Sequence, residues 1–235
     1  MTMRSYFYLC LIAYISGRHF SHGMTPAKPS ASLLLKKNIP RSIIYYESPR
    51  HVDDCLCDHA AGVDIGKMSN FDNTYGGKSS EIESYVDEAV ANIIPTYLAE
   101  QQKFSSDVSE MIRLMTTFAN PSDHMSCRLA LINGIRCPKW HEDNVKFRLI
   151  KTYYGAGTDW VDPSDVSVRM NNYFRSLMDW DLEVKDKKKI RSARVDDILL
   201  ISGKAAQDGS IVPVLHRSPL VAESDKRLLF TITIS

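Results

Sequence analysis

Apolar residues change their period part-way along this chain. Ile82, Tyr85, Val86, Ala89, Val90 and Ile93 recur at three- and four-residue spacing, which predicts an amphipathic helix from Glu81 that Pro95 kinks or stops. A second helix is predicted to start at Ser106 or Asp107, with Glu110 three residues after the latter. Its apolar face is Val108, Met111, Ile112, Met115 and Phe118, and Asn120-Pro121-Ser122-Asp123 ends it. Before Glu81, the stretch from Glu47 to Gly77 is rich in Asp, Asn, Gly and Ser and reads as irregular.

Beyond Asp123 the helical period fades. "CRLALI" (127–132) fits a strand or a short helix and stops at Asn133-Gly134. "VKFRLIKTYY" (145–154) alternates, with Val145, Phe147 and Leu149 on one face. "ILLISG" (198–203), "IVPVLH" (211–216) and "RLLFTITI" (227–234) are short apolar or β-branched runs between turn signals. The pattern predicts an α+β fold in which N-terminal helices (about 80–119) pack on a C-terminal antiparallel part (about 125–235), most simply a double-stranded β-helix or jelly-roll barrel. A polar segment, 164–195, interrupts the strands. Its basic run "KDKKKIRSAR" (185–194) reads as a solvated face or as a contact for an acidic partner.

Composition narrows the classes. The chain has 235 residues, 44% of them apolar and 24% charged, with a net charge of +1. That length suits one domain, 41–235, behind a leader of about 1–40, and the near-neutral charge gives no nucleic-acid signal. Five cysteines form an odd, sparse set that points to free thiols, and Cys55-x-Cys57 lacks the spacing of common zinc knuckles. The ten apolar or aromatic residues at 6–15 are too few to span a bilayer. No Asp or Glu precedes Glu47, whereas the first 46 residues hold six Lys/Arg and six Ser. Such a leader resembles an organelle transit peptide, so cytoplasmic and organellar locations both stay open, ahead of secretion.

The candidate chemistry is His141-x-Asp143. Two imidazoles and a carboxylate on one face make an open metal site, and a His-x-Asp pair at a strand edge puts both side chains on the same side. His216, 75 residues later, closes the run "IVPVLH" and is well placed to be the third ligand. Composition alone accounts for a His-x-Asp pair, and this chain holds a second, His51-x-Asp53, which could join His124. Helices and irregular chain separate those two, whereas strand-like runs flank His141 and His216. Glu142 falls on the opposite strand face from Asp143. Arg227 opens the last strand eleven residues beyond His216, where a guanidinium could hold a carboxylate through two parallel hydrogen bonds. Trp140, Trp160 and Cys137 read as packing residues or as neighbours of a pocket, and Gly155, Gly157 and Thr158 as a tight turn.

These residues also carry a resemblance. "CPKWHEDNVKFRLIKTYYGAGTDWV" (137–161), "ILLISGKA" (198–205), "HRSP" (216–219) and "RLLFTIT" (227–233) resemble the family known as domain of unknown function 1826, over residues 41–235, with "SIIYYESP" (42–49) as its opening strand. The arrangement of His-x-Asp, distal His and Arg is similar to that of 2-oxoglutarate/Fe(II)-dependent oxygenases. The resemblance implies His141, Asp143 and His216 as catalytic metal ligands for Fe(II). Arg227 would bind 2-oxoglutarate, the small-molecule co-substrate, assisted by Thr231 and Tyr153. Those oxygenases often carry Ser or Thr two residues after the Arg, and here that position is Leu229, with Thr231 two further along. Tyr153 has a second reading as a core residue. The alternative function is a cupin-like metal-sensing or metal-handling module without oxygenase activity, in which Arg227 is structural.

Overall fold

Every strand pairing among the described residues is antiparallel. The structure is a computed structural model that describes residues 43–46, 65–99, 102–162, 165–169, 181–206 and 213–235. The leader of about 1–40, Cys55-x-Cys57 and His51-x-Asp53 lie outside them. It is a mixed α/β fold with mostly antiparallel sheets and few helices.

In chain order come β1 (Ile43–Tyr46), β2 (Phe71–Lys78), α1 (Ser79–Ser84), α2 (Val86–Ile93), α3 (Thr96–Ala99), α4 (Gln102–Thr116), β3 (His124–Asn133) and β4 (Phe147–Tyr154). They are followed by β5 (Asp159–Val161), β6 (Val166–Arg169), β7 (Asp181–Val184), β8 (Arg191–Ser192), β9 (Ile198–Ser202), β10 (Leu215–Arg217) and β11 (Lys226–Ile234). A six-stranded sheet has the order β1-β9-β4-β11-β3-β2, a three-stranded sheet the order β10-β5-β8, and β6 and β7 form a hairpin. Among the described residues no helix is long and apolar enough to cross a membrane.

The helices follow the apolar stripe, with local differences. Ile82, Val86, Ala89, Val90 and Ile93 are buried, as are Val108, Met111, Ile112 and Met115. Tyr85 is not on that face: it is 59% exposed and interrupts the helix between α1 and α2. The second helix begins at Gln102, ahead of Ser106 and Asp107, so Asp107 is an interior residue and not a cap. Its carboxylate is instead drawn inward by Lys151.

β2 occupies a stretch whose composition predicts irregular chain. "FDNTYGGK" has low strand propensity, but β3 pairs with it along all eight residues, and as an edge strand it has one neighbour to satisfy. Its ladder runs from Phe71 opposite Leu131 to Lys78 opposite His124.

Register divides the large sheet into two faces, because residues directly opposite in antiparallel strands point the same way. Asn73, Leu129, Phe230 and Lys151 share one face, and so do Tyr75, Cys127, Ile232 and Leu149. That face meets the helices: Asn73 Nδ2 donates to the Ile93 carbonyl at 3.1 Å, Tyr75 OH donates to Glu88 at 3.3 Å, and Lys151 Nζ donates to Asp107 at 2.8 Å. Cys127 lies here, where burial pushes its thiol up to about 12 and leaves it inert. The opposite face carries Arg148, Thr233 and Ser126 in one row, Ile150, Thr231, Arg128 and Thr74 in the next, then Thr152, Leu229, Ala130 and Asp72. Arg227 opposite Ile132 continues it.

Candidate metal and co-substrate site

His141 and His216 meet through the backbone before they meet through their rings. Each donates its N–H to the other's carbonyl at 3.0 Å, forming an isolated bridge beside β10. The ring centroids then lie 4.4 Å apart. Asp143, two residues on, brings Oδ1 to 3.7 Å from His141 Nε2 and Oδ2 to 3.3 Å from His216 Nε2. One donor atom from each of the three lies within 4.8 Å of the others, the only such cluster among the described residues.

The chemistry of this cluster follows from what the other ring nitrogens do. His141 Nδ1 is 2.9 Å from the Lys139 carbonyl, and His216 Nδ1 is 3.1 Å from the Val214 carbonyl. A carbonyl oxygen only accepts, so each Nδ1 carries the hydrogen and each ring turns Nε2, the nitrogen left for a metal, toward Asp143. Two imidazole nitrogens and a carboxylate then converge, the donor set that a divalent metal ion takes.

Asp143 is ready to serve as a ligand. Burial opposes its ionisation, but His216, Arg148 and His141 outweigh burial and hold its carboxyl below the usual range. Arg148 Nη1 lies 2.8 Å from Asp143 Oδ2, close enough for an ion pair although not aligned as a hydrogen bond. Arg148 Nε meanwhile donates to Thr233 Oγ1 at 3.1 Å. The site thus lies against the Arg148 face of the large sheet. Glu142 turns away, with its carboxylate 3.4 Å from Lys204 Nζ.

The segment carrying Asp143 has no regular structure of its own and is stitched to the chain after β9. Lys204 N–H donates to the Asp143 carbonyl at 2.8 Å, Ala205 N–H to Val145 at 3.1 Å, and Gly203 N–H to Lys146 at 3.0 Å. A Cβ on Gly203 would stand 2.3 Å from the Val145 oxygen and 2.6 Å from that of Asp143. Pattern reading missed Gly203 and Arg148. Gly203 ends the quoted block "ILLISG", and a glycine closing an apolar run is the signal for a close backbone approach.

Arg227 is 1% exposed and the largest fully buried side chain among the described residues. Its Nε donates to the Ala156 carbonyl at 2.6 Å, in the turn between β4 and β5. Its Nη2 is buried without a hydrogen-bond partner. Burial lowers its pKa to about 10, against the opposing effect of Asp159, so it remains a cation at neutral pH. Asp159 does not neutralise it directly: its oxygens are taken by Ser192 Oγ at 2.6 Å and by Arg217 Nε and Nη2 at 3.2 and 3.1 Å. Gly155, at φ 81°, permits the approach, because a Cβ there would meet the Lys226 carbonyl at 2.2 Å.

The other candidates separate. Thr231 shares the Arg227 face, two side-chain positions along β11. Leu229, where a hydroxyl is usual in the oxygenase pattern, is directly opposite Thr152 on β4, which brings a hydroxyl residue to that level of the sheet. Tyr153 belongs to the opposite side. It is 1% exposed, its hydroxyl donates to Asp107 and its ring lies 4.7 Å from that of Phe104, beneath α4. Strand alternation turns it from Arg227, so the core reading applies to this residue and the co-substrate reading does not. Cys137 is exposed, and Trp140 lies under the Arg217 guanidinium at 4.5 Å.

A family model described as "Protein of unknown function (DUF1826)" matches residues 73–232, more than half of the chain. The chain belongs to this family. All three clustered residues and Arg227 lie within the DUF1826 match, which begins in β2 and ends in β11. No curated protein matches the sequence. Among solved structures, a rice dioxygenase for auxin oxidation is similar at 12% identity and TM-score 0.38, covering 98% of this chain and 68% of its own. The Fe(II)/α-ketoglutarate-dependent dioxygenase TqaL is similar at 11% identity and TM-score 0.43, with 97% and 88% covered. The non-heme α-ketoglutarate-dependent carbocyclase SnoK is similar at 10% identity and TM-score 0.40, with 91% and 87% covered.

Proposed function

We propose that this DUF1826 protein is an Fe(II)/2-oxoglutarate-dependent oxygenase acting on a separate organic substrate, built as a double-stranded β-helix with its helices against the outer face of the larger sheet. The observation that carries this reading is the pairing of two complementary needs, a ligand cluster held by Arg148 and a guanidinium at Arg227, against the same face of the large sheet. Donor atoms of His141, Asp143 and His216 converge within 4.8 Å, which suits a metal cation, and a buried guanidinium nitrogen of Arg227 without a hydrogen-bond partner suits an anion. A dicarboxylate that chelates a metal at one end meets both needs.

In this reading His141 Nε2, an oxygen of Asp143 and His216 Nε2 would hold the metal. When bound, iron with 2-oxoglutarate supplies the oxidising chemistry. The chain's part is orientation. The Lys139 and Val214 carbonyls fix both rings in the Nε2-binding tautomer. Arg148 holds the Asp143 carboxylate on the sheet side, and Arg227 receives the distal carboxylate where burial excludes competing water. Thr231 lies on the same face as Arg227 and is the remaining co-substrate contact of this reading.

The test is calorimetric titration of the full chain with Mn(II), Fe(II) and 2-oxoglutarate, followed by succinate release. The reading requires metal-dependent 2-oxoglutarate binding that His141→Ala and His216→Ala abolish. Metal binding without any 2-oxoglutarate affinity would instead support a cupin-like metal module with a structural Arg227.

A further inference from the structure

The two metal-ligand histidines begin a longer row. His141 is directly opposite His216, His216 opposite Trp160 on β5, and Trp160 opposite Arg191 on β8. Directly opposed residues share a face, so all four side chains project from the same side of the small sheet. Ring contacts agree at both ends: the histidine rings are 4.4 Å apart, and the Arg191 guanidinium sits 4.7 Å over the Trp160 ring. Trp160 is 3% exposed, covered by its neighbours, whereas Arg191 is exposed.

Arg191 is also the charged member of this sheet that has no ion pair among the described residues. On the opposite face of the same three strands, Arg217, Asp159 and Ser192 are linked by an ion pair and a hydrogen bond. Arg194 pairs with Asp197, and Arg148 with Asp143. Among the described residues no carboxylate lies within ion-pair distance of Arg191. One guanidinium face rests on the indole, so its N–H edge stays open to an incoming anion. Lys187, Lys188 and Lys189, exposed in the preceding turn, add positive potential at this end of the row.

Resting on the oxygenase reading above, we propose that the primary substrate carries an oxyanion, a carboxylate or a phosphate monoester, which the exposed Arg191 receives, with the rest of the molecule reaching past the buried Trp160 toward the metal. Two strand spacings separate Arg191 from His216, on the order of 10 Å at the backbone. The oxidised carbon therefore lies several bonds from the charged group, and a substrate with an oxyanion next to its reacting carbon does not fit. The basic run 185–194 thereby becomes the approach to the site, where its composition alone reads as a solvated face.

The experiment uses the full chain loaded with Mn(II) and 2-oxoglutarate, titrated with phenyl phosphate, 4-phenylbutyrate and, as a neutral control, benzyl alcohol. Wild type is expected to bind at least one oxyanion and not the alcohol, and the preferred probe tells phosphate from carboxylate. Arg191→Gln should weaken that binding tenfold or more, Arg191→Lys less, with Mn(II) and 2-oxoglutarate affinities within twofold of wild type. The proposal is overturned if wild type binds neither oxyanion, if Arg191→Gln binds them equally well, or if that variant loses 2-oxoglutarate affinity, which would make Arg191 a co-substrate ligand. Titrations without metal separate the two readings. A chain that holds no Mn(II) sinks the oxygenase reading, while Arg191-dependent oxyanion binding is measured in either case.

Discussion

Arg148 couples the large sheet to the metal cluster, with Nη1 2.8 Å from Asp143 Oδ2 and Nε bonded to Thr233. It spans the gap between β4 and a carboxylate held on irregular chain. Removing such a supporting group typically lowers metal affinity by about 10- to 100-fold. Arg148→Ala is therefore expected to weaken Mn(II) binding within that range while leaving 2-oxoglutarate affinity at saturating metal largely intact. Calorimetric titration with each ligand checks this, and unchanged metal affinity would reduce Arg148 to a surface ion pair.

Arg227→Lys keeps a cation and removes the two-pronged fork. Loss of one of two parallel charged hydrogen bonds should cost at least about 1.4 kcal/mol, a tenfold drop in 2-oxoglutarate affinity. Metal binding should not change, because Arg227 donates to Ala156 and not to the cluster.

Gly203→Ala tests how Asp143 is held. Its new methyl would meet the Val145 and Asp143 carbonyl oxygens well inside contact distance. Overpacking of this kind costs about 1–3 kcal/mol. The urea midpoint should fall, and metal affinity should fall with it because the displaced backbone carries a ligand. Normal affinity at reduced stability would place the strain elsewhere.

The core assignment of Tyr153 predicts a split result. Tyr153→Phe removes one hydrogen bond to the Asp107 carboxylate and should cost roughly 1.5–3 kcal/mol of stability, with no effect on 2-oxoglutarate binding. Asp107→Ala leaves Lys151 buried without its partner, at about 3–5 kcal/mol. A marked loss of 2-oxoglutarate affinity in Tyr153→Phe would return that residue to the site.

Acid sensitivity should trace in part to Asp123. Burial opposes its ionisation, but Lys146 at 2.6 Å and the Asn120 N–H at 3.0 Å prevail, and its carboxyl is held below the usual range. The folded state therefore binds fewer protons than the unfolded one. The stabilisation is complete above the unfolded pKa, about 3.9, and is lost as pH falls through the folded value. Asp123→Asn should reduce the pH dependence of the urea midpoint below about pH 5 without abolishing it, since Asp143 and Asp72 are shifted the same way.

Much of this molecule is legible without coordinates. The three-to-four spacing of Ile82 through Ile93 and of Val108 through Met115 determined the helices, because burying an amphipathic stripe dominates short-range preference. The apolar runs around 147–154, 198–202 and 226–234 determined strands, and His141-x-Asp143, His216 and Arg227 stood out as a set of residue types with matching chemistry. Tertiary structure decided what periodicity does not encode. β2 forms from poor strand formers because β3 offers a full ladder of hydrogen bonds. Tyr153 and Arg227 part company because adjacent strand positions face opposite sides, and which side holds the helices depends on pairing across the whole sheet. The row from His141 to Arg191 joins residues fifty apart in sequence, and cross-strand register, a product of global packing, is what aligns them.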